Sequence, residues 1–135
     1  MTHNASTADL RVSTLFDFST HIALVTGGAT GLGEMAAQAF VQNGARVIIA
    51  SRKEAELKRT SDRLNKLGPG TCEYVVADLK DKQGVLRMCA EVKSKVDRLS
   101  VLVNNTGATW GYVLLFSFPF FGGVVWVGGG ADGFE

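Results

Sequence analysis

The run Thr26-Gly27-Gly28-Ala29-Thr30-Gly31-Leu32-Gly33 constrains this chain more than any other stretch. It follows the apolar run Ile22-Ala23-Leu24-Val25 and precedes a helical pattern over 34–43. Strand, glycine turn, helix is the arrangement that cradles a dinucleotide pyrophosphate. The first turn of a helix offers unpaired N–H groups and the positive end of its dipole. A Cβ in that turn would hold a phosphate away from the backbone.

Glycine-rich turns are also common in ordinary loops, so the context decides. A second strand pattern, 45–50, follows Asn43-Gly44, which reads as a helix stop. Strand, helix and strand therefore close within about thirty residues, as a right-handed crossover requires. A second helix is expected over 53–67, with Leu57, Leu64 and Leu67 as its apolar contacts, stopped by Gly68-Pro69-Gly70. A third strand is expected over 73–77, with Cys72 just before it. A third helix is expected over 82–96, with Val85, Cys89, Val92 and Val96 on one stripe. The fourth strand is expected over 99–103. Continuous apolar strands imply a parallel sheet covered on both faces. Their alternation with helices predicts an α/β, doubly wound, Rossmann-like fold.

The organisation reads as three parts. Residues 1–18 are a polar lead-in, residues 19–110 a dinucleotide-binding half-domain, and residues 111–135 a tail. The tail breaks the pattern. Residues 111–130 carry no charge, and no Lys or Arg follows Arg98. Twenty uncharged residues meet the length of a membrane span. Pro119, Gly122 and Gly123 in the middle, and the lack of a basic flank, argue against one. The tail is expected to be irregular and foreign to the fold, which would leave the sheet truncated after about four strands.

The formal net charge of +1 implies no general attraction to nucleic acid. Cys72 and Cys89 form no metal or redox spacing, which fits two reduced thiols in a cytoplasmic protein. No metal site is expected. His3 and His21 are isolated and read as solvated or structural.

Three motifs occur in order at the ends of successive strands: Thr26-Gly27-x-x-x-Gly31-x-Gly33, Asp78-Leu79, and Asn104-Asn105-Thr106-Gly107. Together they resemble the short-chain dehydrogenase/reductase family over about residues 15–111. The run 104–111 looks like the rhamnolipid-type 3-oxoacyl-carrier-protein reductases within it. Family members usually carry Ala where this chain has Thr106. The resemblance implies that Gly27, Gly31 and Gly33, with Thr26, Gly28, Ala29, Thr30 and Leu32 around them, approach the pyrophosphate. It implies that Asp78 accepts a hydrogen bond from the adenine amino group, with Leu79 beside it, and that Asn104 and Gly107 flank the nicotinamide ribose. Asp78 reads equally well as a strand-end turn carboxylate. Asn104 and Asn105 can also tie strand ends together.

The end of the second strand bears on the choice of dinucleotide. A carboxylate there would bind the ribose 2′-hydroxyl of NAD. This chain has Ser51-Arg52, then Lys53. A guanidinium pairs with a 2′-phosphate through two charge-assisted bonds. NADP(H) is therefore the expected cofactor. A solvated helix start is the competing reading of Arg52 and Lys53.

The family's chemistry needs a Tyr with a Lys four residues on, a Ser before them, and an Asn on the helix after the fourth strand. The Tyr moves the proton, the Lys lowers its pKa, and the Ser orients the carbonyl. Here Asp78 lies four residues after Tyr74 and Phe116 four after Tyr112, and no lysine follows Lys95. No residue is assigned a catalytic role. Two functions stand at this point. One is an NADP(H)-dependent reductase of carbonyl or 3-oxoacyl substrates, homo-oligomeric in complete relatives, represented by a fragment without its catalytic half. The other is a non-catalytic nucleotide-binding or interaction module whose tail docks to a membrane or partner.

Overall fold

The computed structural model describes residues 9–107. The tail 111–135, with Tyr112, and the first eight residues lie outside them. Along the chain run α1 Val12–Leu15, β1 Ile22–Thr26, α2 Gly31–Gln42, β2 Arg46–Ser51, α3 Glu54–Leu64, β3 Thr71–Val76, α4 Lys82–Lys95 and β4 Val101–Asn104. The strands form one parallel sheet in the order β3-β2-β1-β4. This is the doubly wound α/β arrangement expected from the alternating pattern.

The apolar runs become strands because both faces of the sheet are covered. Val47, Ile48, Ile49 and Ala50 of β2 are fully buried. Successive side chains on a strand point to opposite faces. On one face Ala23, Val25, Val47, Ile49, Val101 and Val103 pack with Ala37 and Val41 of α2 and Leu57 and Leu64 of α3. On the other, Leu24, Ile48, Ala50 and Val75 pack with Met88 and Val92 of α4. The chain steps outward from β1 to β2 to β3 and then returns past β1 to form β4. Crossovers of one hand put their helices on one face going out and on the other coming back. The direction therefore reverses between β1 and β4.

Four local expectations need correction. The second helix ends at Leu64, not at 67. The Asn65 side chain leaves the helix to bond β3: its Nδ2 donates to Cys72 O at 2.8 Å and its Oδ1 accepts from Cys72 N at 2.7 Å. Leu67 is consequently outside the helix and exposed. The same amide pairing places Cys72 inside β3, which starts at Thr71. On α4 the buried stripe is Val85, Met88, Val92, with Cys89 only half-buried beside it. Finally, the lead-in is not wholly polar coil. It holds the short α1, and Phe18 packs edge-on against both His21 and Phe40 at 5.2 Å.

The two thiols differ in a way that can be measured. Burial pushes the Cys72 thiol up to about 11, with the Glu73 charge adding to the effect and the Ser61 hydroxyl opposing it. Burial also raises Cys89, which is the less buried of the two. A raised pKa means less thiolate at a given pH, and the thiolate is the nucleophile. Iodoacetamide should therefore modify Cys89 well before Cys72 in the folded chain, with the difference disappearing in denaturant. Equal rates by mass spectrometry under native conditions would contradict the placement of Cys72.

Candidate dinucleotide-binding edge

Because the strands are parallel, their carboxyl ends share one edge of the sheet, and the expected site residues all fall there. Thr26 ends β1, Ser51 ends β2 and Asn104 ends β4. Asp78 and Leu79 follow β3, and Gly107 lies three residues past β4. Residues 27–30 form the turn, and Gly31, Leu32 and Gly33 open α2. In open α/β sheets, ligand crevices lie outside the carboxyl ends where the strand order reverses. That point is the β1–β4 boundary.

Beyond the β1–β4 ladder, one hydroxyl gathers the ends of the two strands. Thr26 Oγ1 accepts from Asn105 N at 3.0 Å and from Thr106 N at 3.1 Å. It donates toward Asn104 Oδ1 at 3.3 Å or Val103 O at 3.4 Å. Thr26 is buried, so these partners matter. The tying role expected for Asn104 and Asn105 is thus present, and Asn105 Nδ2 also donates to Gly27 O at 3.4 Å. Thr26→Val keeps the shape and removes the hydroxyl, which leaves the Asn105 and Thr106 N–H groups without that acceptor. We expect a loss of about 1–3 kcal/mol, read from urea unfolding, and recovery in Thr26→Ser. Unchanged stability in the valine variant would show that the hydroxyl is dispensable.

The glycines of the turn serve different purposes. Gly31 has φ +58°, a left-handed conformation that side chains resist, and a Cβ there would meet no described atom within 4 Å. Gly33 is the reverse case. A Cβ on it would stand 2.2 Å from Gly27 O and 2.6 Å from Asn105 Nδ2. Only glycine lets α2 start this close to the turn.

Arg52 and Lys53 follow β2 and are exposed. Lys53 Nζ lies 3.2 Å from Glu56 Oε1. Asp78 Oδ1 accepts from Lys80 N at 3.2 Å, so the turn-carboxylate reading of Asp78 is realised. That N–H is the main cause holding the Asp78 carboxyl below its ordinary value; the Lys80 ammonium and the more distant Arg52 charge act in the same direction. The carboxylate stays half-exposed. Leu79 packs against the core cluster that includes Ala77 and Met88. Leu32 is exposed at the mouth of the edge.

Sequence reasoning missed Thr60. It lies on the buried stripe of α3 with Leu57, Ser61 and Leu64. Its Oγ1 donates to Ala29 O, in the glycine turn, at 2.9 Å. The signal was available: a hydroxyl on an apolar stripe needs a buried acceptor. Tyr74 does not reach the β1–β4 boundary. It lies on β3, two strands away from β1, and its hydroxyl is 3.4 Å from Glu54 Oε1. Among the described residues no group of three His, Cys, Asp or Glu is placed to hold a metal ion. Among them, too, no helix is long and apolar enough to cross a membrane.

A family model described as short chain dehydrogenase matches residues 21–115. The rhamnolipids biosynthesis 3-oxoacyl-[acyl-carrier-protein] reductase of Pseudomonas aeruginosa is 39% identical over 99 residues, which is 73% of this chain and 38% of that protein. Human short-chain dehydrogenase/reductase 3 is 33% identical over 104 residues, 76% of this chain and 34% of that protein. Among solved structures, a Pseudomonas aeruginosa RhlG/NADP active-site complex is similar with a TM-score of 0.67 at 39% identity, covering 77% of this chain and 40% of that one. A short-chain type dehydrogenase/reductase from Mycobacterium marinum gives 0.68 at 28% identity, covering 75% and 40%. The chain therefore spans well under half the length of these relatives. It belongs to the short-chain dehydrogenase family.

Proposed function

We propose that this member of the short-chain dehydrogenase family carries the NADP(H)-binding half of an oxidoreductase that reduces carbonyl compounds of the 3-oxoacyl kind. The observation that carries the reading is one shared edge. The glycine turn, the first turn of α2, Arg52 and Asp78 all lie at the carboxyl ends of the strands. The open outer side of Gly31 fits a group that approaches the backbone closely.

In this reading residues 19–110 are the cofactor-binding unit. The N–H groups of residues 28–33 hold the pyrophosphate with the help of the helix dipole; that of Gly27 is taken by Ala50 O at 2.8 Å. Ser51 and Arg52 hold the 2′-phosphate. Asp78 accepts from the adenine amino group, Leu79 lines the adenine, and Asn104 and Gly107 flank the nicotinamide ribose. The bound nicotinamide supplies hydride chemistry, and these residues orient it. The similar RhlG complex contains NADP, which supports the choice. Soluble expression, cytoplasmic residence and oligomerisation of the whole protein belong to the same proposal.

Arg52 gives the test. Its charge-assisted bonds to a 2′-phosphate contribute about 1.5–3 kcal/mol, on the order of 10- to 100-fold. NADPH should therefore bind that much more tightly than NADH at fixed salt, and Arg52→Asp should reverse the order. Equal affinities in the unsubstituted chain would remove Arg52 from the site.

A further inference from the structure

We propose that Thr60 is a positioning residue that locks the glycine turn to α3, so that the turn and Arg52 hold a dinucleotide as one unit; this rests on the reading of the site given above. Thr60 is 1% exposed, and its hydroxyl donates to Ala29 O at 2.9 Å. In a trans peptide the C=O and the following N–H point in opposite directions. Holding the Ala29 carbonyl against α3 therefore turns the Thr30 N–H away from α3, outward from the turn.

The helix that holds the turn is also the helix that begins just after Arg52, at Glu54. One buried hydrogen bond thus connects the two places where the ligand's anionic groups are proposed to sit. A second link joins α3 to α2. Arg63 Nη2 is 2.6 Å from Glu34 Oε1, and Arg63 Nη1 is 3.1 Å from Gln38 Oε1. That link is exposed and screened by solvent. The Thr60 bond is buried and touches the turn itself, so it sets the register.

Ser61 provides an internal control. It lies one residue on, is also buried, and makes the same type of bond, from Oγ to Cys72 O at 2.7 Å. Its acceptor is on β3 rather than in the turn. Three variants of the 135-residue chain separate positioning from plain stability: Thr60→Val, Thr60→Ser and Ser61→Ala. Thr60→Val should weaken NADPH binding at least tenfold, and Thr60→Ser should restore it. Ser61→Ala should lower the melting temperature while leaving NADPH affinity within twofold. In ligand-free protein, amide exchange at Gly27 and Glu34, whose N–H groups are held by Ala50 O at 2.8 Å and Thr30 O at 3.3 Å, should quicken at least tenfold in Thr60→Val and stay unchanged in Ser61→Ala. Unsubstituted protein that binds NADPH, with Thr60→Val binding equally well or both variants weakening it equally, would overturn this inference alone. Unchanged exchange in Thr60→Val would overturn it whatever the binding data show. Unsubstituted protein that binds neither NADPH nor NADH would sink the dinucleotide reading, and the role of Thr60 in binding with it.

Discussion

Gly33→Ala is expected to abolish measurable NADPH binding and to destabilise the fold. The added Cβ would lie 2.2 Å from Gly27 O, 2.6 Å from Asn105 Nδ2 and 2.8 Å from Gly27 C. Comfortable contacts between such atoms are about 3.5–4.0 Å. Two of the three neighbours are backbone of the turn, and no side-chain rotation relieves the clash. The start of α2 has to retreat from the turn by about 1 Å or more. Overpacking of this sort costs about 1–3 kcal/mol and occasionally more. It also displaces the N–H groups proposed to hold the pyrophosphate. Losing two charge-assisted hydrogen bonds of about 1.5–3 kcal/mol each weakens binding on the order of 10²- to 10⁴-fold. Gly31→Ala is the informative contrast. Its Cβ meets nothing inside the described protein, so only the left-handed backbone is strained, by roughly 1–2 kcal/mol. Titration of both variants with NADPH, beside thermal melts, distinguishes them. A Gly33→Ala protein that melts and binds like the unsubstituted chain would contradict the packing of α2 on the turn.

The second large effect is an absence. Given NADPH and a β-keto ester, the purified 135-residue chain is expected to oxidise no cofactor above the buffer rate. Proton transfer by a positioned side chain contributes about 10²–10⁴-fold to such reactions. The chain's tyrosines are Tyr74 and Tyr112, and neither has a lysine four residues on. Tyr74 is also on the outer strand, facing Glu54, away from the β1–β4 boundary where the nicotinamide is proposed to lie. Cofactor binding and turnover should therefore separate in this chain. Steady loss of absorbance at 340 nm, proportional to protein and abolished by Gly33→Ala, would show that a proton donor has been overlooked.

Much of this architecture is legible in the residues. Apolar runs too continuous for a half-exposed strand announce a sheet covered on both faces, and Val47 through Ala50 are indeed fully buried. The glycine turn is legible because its demands, left-handed backbone at Gly27 and Gly31 and a vanishing side chain at Gly28 and Gly33, admit almost no other residue type. What is less visible depends on side chains reaching across the fold. The early end of α3 follows from the Asn65 amide preferring the Cys72 backbone on β3, a contact that no local pattern announces. Met88, not Cys89, is the more buried of the two because α4 turns Val85, Met88 and Val92 inward, a choice between adjacent positions that helical spacing alone leaves open. Thr60 escaped notice because a threonine inside a helical stripe looks like a weak apolar residue until its acceptor, Ala29 O, is in place. Asp78 carried two readings in the sequence. Its bond to Lys80 N realises the turn reading, and the carboxylate stays half-exposed beside it.

Amide chemical-shift mapping on the isotopically labelled 135-residue chain tests the central claim most directly. On addition of NADPH the largest shifts should fall on residues 27–33, with smaller ones at Ser51, Arg52, Asp78 and Leu79. The opposite end of the sheet, marked by the Arg46–Glu73 ion pair at 2.7 Å, should stay unmoved. Shifts centred on that opposite end, or no saturable shifts at the glycine turn, would contradict the assignment of this edge as the dinucleotide site.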